Sequence, residues 1–314
     1  MHKTKKITAV SLTLMSLALL ISGCSKTSTN DTINQSLSTS VEAGSDQKDG
    51  DRTIHTSLGD VKVPAEPKRV IATYGMGDLL ALGVIPVATY QADGTAYEKE
   101  VADLPVWNQF EAEEIMAFDP DLILVVNQEQ YDEVSKIAPT ILIPFTQLSM
   151  DERVTYLGEI LNKEEEAKKE LVDFKGKIAK AKETLNQKGI DTQTFSIFDS
   201  GSSGSIWVYG DKWGRGGDLL YSQLGLNAPD IIQKEIIAKE QYRELSMESV
   251  QDYAGDYIIF SGELGSLTDN PVWNSIPAVK AGHVIQINHD LFYDIDLYSS
   301  SVQLDYLMKA LIDK

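Results

Sequence analysis

The sequence predicts an α/β protein with two Rossmann-like lobes, joined by a single long spine helix and separated by a ligand cleft. Three observations carry this prediction. Buried-strand patterns alternate with short helical patterns, which is typical of largely parallel sheets. A pattern in the first half of the chain returns in the second half. Between the two copies, residues 163–188 form one amphipathic helical pattern, ~39 Å long at 1.5 Å per residue.

Two segments of the chain each occur twice. The segment from Gly77 to Gly83 returns 140 residues later, from Gly217 to Gly225. The pattern from Glu113 to Ile123, which contains Asp121, returns 135 residues later, from Glu248 to Ile258, with Asp256 in the matching place. The similar offsets favour two lobes of like construction, although generic helix-then-strand patterns also recur by chance. A cleft between two such lobes is a natural place for a ligand.

The N-terminus has the features of a secretory signal. A basic start and an apolar run over 7–21 lead to Ile21-Ser22-Gly23-Cys24, and this run is shorter than the ~20 residues that span a bilayer. Cys24 is the sole cysteine, so it cannot form an internal disulfide. The motif resembles a bacterial lipobox, so we predict a lipoprotein signal peptide over 1–23 and a lipid anchor at Cys24. The alternative is an ordinary signal peptide with a chance cysteine.

Composition narrows the class of partner. Residues 24–52 are mostly small and polar, which predicts a flexible tether. Removing residues 1–23 leaves 25 basic against 47 acidic residues, a net charge of −22, which opposes binding to nucleic acid. No His/Cys cluster has metal-ligand spacing, and no nucleotide-binding or nucleophile motif is complete. We therefore predict no metal site, no cofactor and no enzymatic activity.

The N-terminal lobe is predicted over residues 53–148. Residues 53–63 alternate around Leu58-Gly59-Asp60, which is a hairpin signal. A buried-strand run at 69–73 precedes a helix at 78–82, which Gly83 closes. Further strands are predicted at 84–90, 122–126 and 141–145, with a helix at 111–118.

The helical spine is predicted over 149–189. Ser149 and Glu152 form a capping box, and Asn162 with Glu165 resembles a second helix start. The long helical pattern over 163–188 lies between the two copies of the repeat, which favours a helix that runs between the lobes. A helix packed on one lobe is the alternative. The C-terminal lobe, over 190–314, has predicted strands at 194–198, 206–209, 257–261 and 284–287. It also has predicted helices at 218–224 and 297–314. The second of these is a C-terminal helix that is expected to return from the C-terminal lobe.

The segment Tyr209-Gly210-Asp211-Lys212-Trp213-Gly214-Arg215-Gly216-Gly217 is the densest functional signal. Glycines permit a sharp turn and close approach of a ligand. Trp213 offers a flat apolar face, and Arg215 offers five donors in a rigid fork. The alternative is a structural turn, with Trp213 in the core and Arg215 capping a carboxylate.

The segment from Tyr209 to Gly225, together with Glu248 and residues 253–257, resembles ferric-hydroxamate siderophore-binding lipoproteins of Gram-positive bacteria. These are substrate-binding components of ABC importers, of the class III periplasmic-binding-protein type, and the resemblance runs from Arg69 to the C-terminus. It implies two α/β lobes on one long helix, in a monomer anchored at the outer face of the cell membrane. It also implies that Trp213 and Arg215 contact the iron-hydroxamate centre.

Further aromatic contacts are expected with less support from the motif. The resemblance implies one at Trp207 and one near Tyr293, where Leu291-Phe292-Tyr293-Asp294 departs from the family pattern. The complete predicted set of ligand-binding residues is Trp213, Arg215, Trp207, Tyr209, Tyr293, Tyr90 and Trp107. Core packing is the alternative role for each aromatic residue.

The strand-end loops of the first lobe indicate the class of ligand. They contain polar and aromatic residues but no Lys or Arg. Iron-catecholate complexes carry several negative charges, whereas trihydroxamate complexes are near neutral or weakly cationic. We therefore expect a ferric hydroxamate; haem, cobalamin or a catecholate is the alternative, and an extracytoplasmic enzyme acting on the chelate is a remote one.

Glu113 and Glu248 occupy matching places in the two repeats. The resemblance implies that one carboxylate on each lobe docks to an arginine pocket of the ABC permease dimer. The alternative is a pair of solvated glutamates at helix starts, stabilised by the helix dipole.

Overall fold

Two main sheets, besides a two-stranded hairpin, organise the computed structural model, which describes residues 50–201 and 204–312. The first sheet has the order β3-β4-β5 and is parallel. The second has the order β10-β9-β6-β7-β8. In it β6, β9 and β10 are parallel to one another, and β7 is antiparallel to both of its neighbours, β6 and β8. The strands are β1 (Arg52–Thr56), β2 (Gly59–Val63), β3 (Val70–Ala72), β4 (Leu122–Val125), β5 (Thr140–Leu142), β6 (Phe195–Ser200), β7 (Ile206–Tyr209), β8 (Tyr242–Leu245), β9 (Tyr257–Ser261) and β10 (Val284–Ile287).

Helices cover and connect the sheets. They are α1 (Met76–Ala81), α2 (Glu98–Val101), α3 (Ala112–Ala117), α4 (Gln128–Val134), α5 (Met150–Leu161), α6 (Glu164–Gln187), α7 (Val250–Tyr253), α8 (Pro271–Ser275), α9 (Pro277–Lys280) and α10 (Leu297–Ile312). Two π-helical segments, Asp218–Gln223 and Ile232–Glu240, and a 3-10 turn, Gly265–Asp269, lie in the second half. We call the first sheet with its helices the first lobe and the second sheet with its helices the second lobe.

The long helix joins the two lobes through one apolar core. In α6 the buried residues recur at steps of three and four, from Leu171 through Phe174 and Ile178. They belong to a single cluster that also contains Val70 of β3 and Ile197 of β6. Because this one cluster includes strands of both sheets as well as α6, it supports the interpretation of α6 as a spine.

Several predicted elements are confirmed and others are corrected. The β1–β2 hairpin and the Ser149 capping box are present. Residues 84–90 are not a strand: they make a single bridge, between Thr89 and Val106, and Pro86 interrupts the run because it has no N–H to donate. Asn162 does not start α6; it ends α5 in a left-handed conformation, with φ 58°.

The internal repeat has a structural counterpart. In the first lobe, Asp121 precedes β4 and accepts hydrogen bonds at 2.9 Å from the N–H groups of Lys68 and Arg69, just before β3. In the second lobe, Asp256 precedes β9 and accepts bonds from the N–H and hydroxyl of Thr194, just before β6, at 2.9 and 2.8 Å. Each carboxylate thus fixes the start of a parallel neighbour, which explains why Asp recurs in the pattern.

The predicted signal peptide, Cys24 and nearly all of the predicted tether lie outside the described residues. β1 begins at Arg52, whose side chain donates to the carbonyl oxygens of Ala65, Glu159 and Ile160. Within the described part of the chain, no helix combines the length and apolarity that a membrane span requires.

Candidate ligand-binding site

A cavity of about 240 Å³ lies between the two lobes. Its first-lobe wall is made by Tyr74, Val126 and Phe145, which follow the carboxyl ends of β3, β4 and β5. Its second-lobe wall includes Trp213, Arg215 and Tyr293. The carboxyl ends of parallel strands are where α/β sheets bind ligands, so we call this cavity the cleft.

The backbone around Arg215 is shaped to present its side chain. Arg215 has φ 55°, between Gly214 at 71° and Gly216 at 81°. The N–H of Arg215 donates to the carbonyl of Phe292 at 2.6 Å. A Cβ at position 214 would lie 2.5 Å from the carbonyl oxygen of Tyr293, so this position requires glycine. The predicted Gly-rich turn is therefore pressed directly against the 292–293 loop.

The guanidinium of Arg215 is fixed on several sides. Its Nε donates to Oδ2 of Asp199 at 3.2 Å, and its Nη1 donates to the carbonyl of Trp213 at 3.0 Å. The guanidinium carbon lies 4.6 Å from the ring centroid of Tyr209 and 5.9 Å from that of Tyr293. Since Nη2 has no acceptor among the described residues, it is available to a ligand oxygen.

Asp199, which was not predicted from the sequence, is the carboxylate that pairs with Arg215. Burial alone would raise the pKa of this carboxyl, but hydrogen bonds from His289 and Arg215 outweigh burial and hold the pKa below its usual value. Nδ1 of His289 lies 3.4 Å from Oδ2 of Asp199 and 3.2 Å from the hydroxyl of Ser261. Asp199 is therefore ionised at neutral pH and orients the arginine.

Aromatic side chains surround Arg215 on the second lobe. Trp213 is 52% exposed and Tyr293 is 48% exposed, so both rings have free faces. Tyr242, on β8, contacts Trp207, Tyr209 and Trp213, with ring centroids 5.7, 6.2 and 5.6 Å apart. The structure thus brings together four predicted aromatic residues, with Trp207 and Tyr209 outside the cleft lining, and adds Tyr242.

Tyr90 and Trp107 are not among the residues that line the cleft. Their rings are 5.7 Å apart, and the hydroxyl of Tyr90 is hydrogen-bonded to that of Tyr97. Tyr97 in turn donates to Asp294 at 2.8 Å, next to Tyr293. The first-lobe positions in the cleft are taken instead by Tyr74 and Phe145.

A buried ion pair underlies the cleft. Nε of Arg153 donates to Oδ2 of Asp78 at 2.6 Å, and both side chains are almost fully buried. Arg153 also donates to the carbonyl of Ile295, and Asp78 accepts from the N–H of Leu297, at 2.9 and 2.8 Å. The 294–297 segment, which leads from the second lobe into α10, is thereby fastened to α1 and α5.

Two further carboxyls lie in that segment. Burial raises the pKa of Asp294 to about 6, against the hydrogen bond from Tyr97. Burial, and then the nearby charges of Asp294 and Asp78, raise the pKa of Asp296 well above its usual value. One oxygen of Asp294 and one of Asp296 have no hydrogen-bond partner among the described residues. Both carboxyls therefore bind protons more tightly than an ordinary aspartate does.

Glu113 and Glu248 lie away from the cleft. Glu113 is exposed in the first turn of α3, and Glu248 is exposed just before α7. Each stands two residues before a fully buried apolar residue, Ile115 or Val250. The two glutamates therefore occupy equivalent exposed places on the two lobes.

Comparison with known proteins identifies relatives along almost the whole chain. A family model described as periplasmic binding protein matches residues 72–291. The iron(3+)-hydroxamate-binding protein YxeB of Bacillus subtilis is 32% identical over 313 residues, covering 96% of this chain and 95% of that protein. The iron(3+)-hydroxamate-binding protein FhuD of the same organism is 29% identical over 288 residues, covering 87% and 91%. Among solved structures, FhuD2 of Staphylococcus aureus with bound ferrioxamine B is 26% identical, with a TM-score of 0.72 and coverage of 79% and 99%.

Proposed function

The chain belongs to the periplasmic binding protein family, and on that premise we propose that it captures ferric hydroxamate siderophores and delivers them to an ABC permease. The observation that carries the proposal is the placement of Arg215. Its guanidinium is held by Asp199 at the cleft, beside the exposed rings of Trp213 and Tyr293. This arrangement suits a ligand that offers oxygen acceptors on a compact apolar body.

The charge of the cleft favours a hydroxamate. Lys212 and Arg215 are its charged lining residues, and no carboxylate lines it among the described residues. A ferric trihydroxamate carries little net charge and needs few cations, whereas a triscatecholate complex carries several negative charges. The names of YxeB and FhuD, which describe iron(3+)-hydroxamate binding, support the same ligand class.

The siderophore itself coordinates the iron in this proposal. Among the described residues no group of three or more His, Cys, Asp or Glu side chains is arranged to hold a metal ion. Arg215 would donate to chelate oxygens, and the aromatic rings would pack on the chelate's apolar edges. The protein then acts as a binding protein and not as an enzyme.

Calorimetric titration with a panel of ligands tests the proposal. The panel contains ferrioxamine-type and ferrichrome-type complexes, a ferric triscatecholate and haem. We expect the hydroxamates to bind most tightly. Equal or tighter binding of the triscatecholate would refute the choice of ligand.

Haem is the second candidate because the cleft holds an exposed tyrosine beside a histidine. The rings of Tyr293 and His289 are 6.1 Å apart, and a phenolate or an imidazole can bind haem iron. Tight haem binding with a visible spectrum that changes in a Tyr293→Phe variant would favour this candidate.

Two surface roles complete the proposal. Glu113 and Glu248, one on each lobe, would dock to the permease dimer. Cys24 would carry a lipid that anchors a monomeric protein at the outer face of a Gram-positive cell membrane. Radioactive lipid labelling of cells tests the anchor: a Cys24→Ala variant should lose the label, and retained label would exclude Cys24 as its site.

A further inference from the structure

A second cavity opens beside the cleft. Its volume is about 620 Å³, and it is lined by the start of α5 on the first lobe and by the 211–223 region on the second. It shares Phe145, Thr146, Lys212 and Ile295 with the cleft. A ligand seated against Arg215 can therefore extend an arm into this space, which we call the side cavity.

Three of the charged side chains that line the side cavity are in ion pairs. Lys175 forms an ion pair with Asp151, and Arg153 is paired with Asp78. The carboxylate of Glu152 accepts from the N–H and the hydroxyl of Ser149, at 2.9 and 2.7 Å. The charges of Lys175 and Arg153 are therefore compensated within the fold, whereas the carboxylate of Glu152 is held by Ser149 and keeps its negative charge.

Besides Glu152, two lining carboxyls form no ion pair among the described residues, and both lie on the second lobe. Asp211 accepts a long bond, 3.4 Å, from the hydroxyl of Ser222, and its Oδ1 is buried with no hydrogen-bond partner among the described residues. Asp218 accepts a bond of 3.4 Å from Gln223. Burial raises the pKa of Asp218 although the charge of nearby Arg153 acts to lower it, so a further cation in the cavity would stabilise the charged form.

We propose that the side cavity is a subsite for a positively charged alkylammonium arm of the siderophore. Phe145, Leu148 and Met150 provide apolar wall for the methylene groups, and the carboxyls of Asp211 and Asp218 receive the ammonium. The inference rests on the proposed function, because the arm must belong to a chelate bound in the cleft. It adds a preference for linear trihydroxamates that end in an amine.

Lys212 is a residue of opposite charge to Asp211 and Asp218 in the same cavity, so its substitution tests the electrostatic origin of the preference. It is exposed, lines both cavities, and forms no ion pair among the described residues. Its charge opposes an ammonium arm, whereas the charges of Asp211 and Asp218 attract it. Neutral variants at these positions should therefore change the preference in opposite directions.

The test compares ferrioxamine B, which ends in an amine, with its N-acetylated derivative, using calorimetric titration. Wild type should bind the amine form roughly fivefold to tenfold more tightly, as expected for one partly exposed charge-assisted interaction. Asp211→Asn with Asp218→Asn should bring the ratio close to one, and Lys212→Gln should raise it. Asp252→Asn, which removes one negative charge at an exposed position on α7 outside the side cavity, should leave the ratio as in wild type.

Titration with a cyclic trihydroxamate that has no amine distinguishes failure of the proposed function from failure of the ammonium subsite. If wild type binds neither the cyclic nor the linear chelates, the proposed function is wrong. If wild type binds the hydroxamates but does not distinguish the amine from its acetylated form, the side cavity is not an ammonium subsite. A ratio that stays high in the doubly substituted variant would also overturn the subsite, since the preference would then arise elsewhere.

Discussion

Asp199 and Arg215 form an ion pair at the cleft, with 3.2 Å between Oδ2 of Asp199 and Nε of Arg215. Both side chains are largely buried, at 12% and 15% exposure, and the backbone of Arg215 is held in a left-handed conformation. The arginine is thus ordered before a ligand arrives, which reduces the entropy lost on binding. The effects of substitutions at Asp199 and Arg215 on the free energy of ligand binding should therefore depend on each other.

Replacing Arg215 should weaken ligand binding strongly. A hydrogen bond from a charged donor contributes ~1.5–3 kcal/mol, so Arg215→Ala should weaken ferric hydroxamate binding roughly 10- to 150-fold. Calorimetric titration gives the affinity directly. Arg69→Ala, which removes an arginine beside β3 outside the cleft lining, is the control and should bind as wild type does. If both variants keep wild-type affinity, Arg215 does not contact the ligand.

Replacing Asp199 should act through Arg215. In Asp199→Asn the guanidinium loses its charged partner, so affinity should fall, but by less than in Arg215→Ala. Residues that act together are non-additive, so the double variant should bind about as weakly as Arg215→Ala alone. A double-mutant cycle measures this coupling. Additive losses would mean that Asp199 contributes independently of the arginine.

The sequence predicted the elements whose signals are local. The α6 spine and the Ser149 capping box follow from periodicity and residue order, and the recurring Asp121 and Asp256 follow from the repeat. The 84–90 run failed because apolar content suggested a strand, while Pro86 and the neighbouring chain decide whether a ladder forms.

The candidate site was only partly predictable for a related reason. Trp213 and Arg215 stand in one Gly-rich segment, so their proximity is visible in the sequence. Asp199 and His289 lie on different strand ends and meet Arg215 through tertiary contact alone. Tyr242 lies on β8, a short edge strand that the sequence patterns did not predict. Tyr90 and Trp107 are aromatic like the predicted contacts, but the first-lobe aromatic residues that line the cleft are Tyr74 and Phe145.

The stability of the folded protein should fall as the pH rises through the titration of Asp294. Its folded-state pKa of about 6 exceeds the ordinary value of ~3.9, so the native state binds more protons between these values. The free energy of unfolding then decreases with rising pH across that window. Asp294→Asn should flatten this slope and raise the melting temperature at pH 7.5 by about 5 °C relative to wild type.

Thermal melts between pH 4.5 and 7.5 test this linkage. Asp290→Asn, an exposed carboxylate four residues away, serves as the control and should retain the wild-type slope. A slope that is equally steep in Asp294→Asn would show that other groups set the pH dependence.

Glu113 and Glu248 should affect transport without affecting binding. Both are exposed and outside the cleft, so Glu113→Ala and Glu248→Ala should keep wild-type ligand affinity and melting temperature. Charged groups at an interface set register and encounter rate, so each variant should reduce uptake of radioactive iron-siderophore by cells at equal surface expression. The double change to Lys should reduce uptake more than the double change to Ala. Normal uptake by the double Lys variant would place the docking surface elsewhere.

Quenching of tryptophan fluorescence by a ferric hydroxamate tests the central claim, that the ligand binds in the cleft beside Trp213 and Arg215. The chain has four tryptophans; Trp213 is exposed at the cleft, and Trp273 is buried in the second lobe, 1% exposed. Titration of wild type with ferrioxamine B should quench the emission, and Trp213→Phe should lose most of that change while Trp273→Phe keeps it. Full quenching in Trp213→Phe, with unchanged affinity, would contradict the account because the ligand would then lie elsewhere.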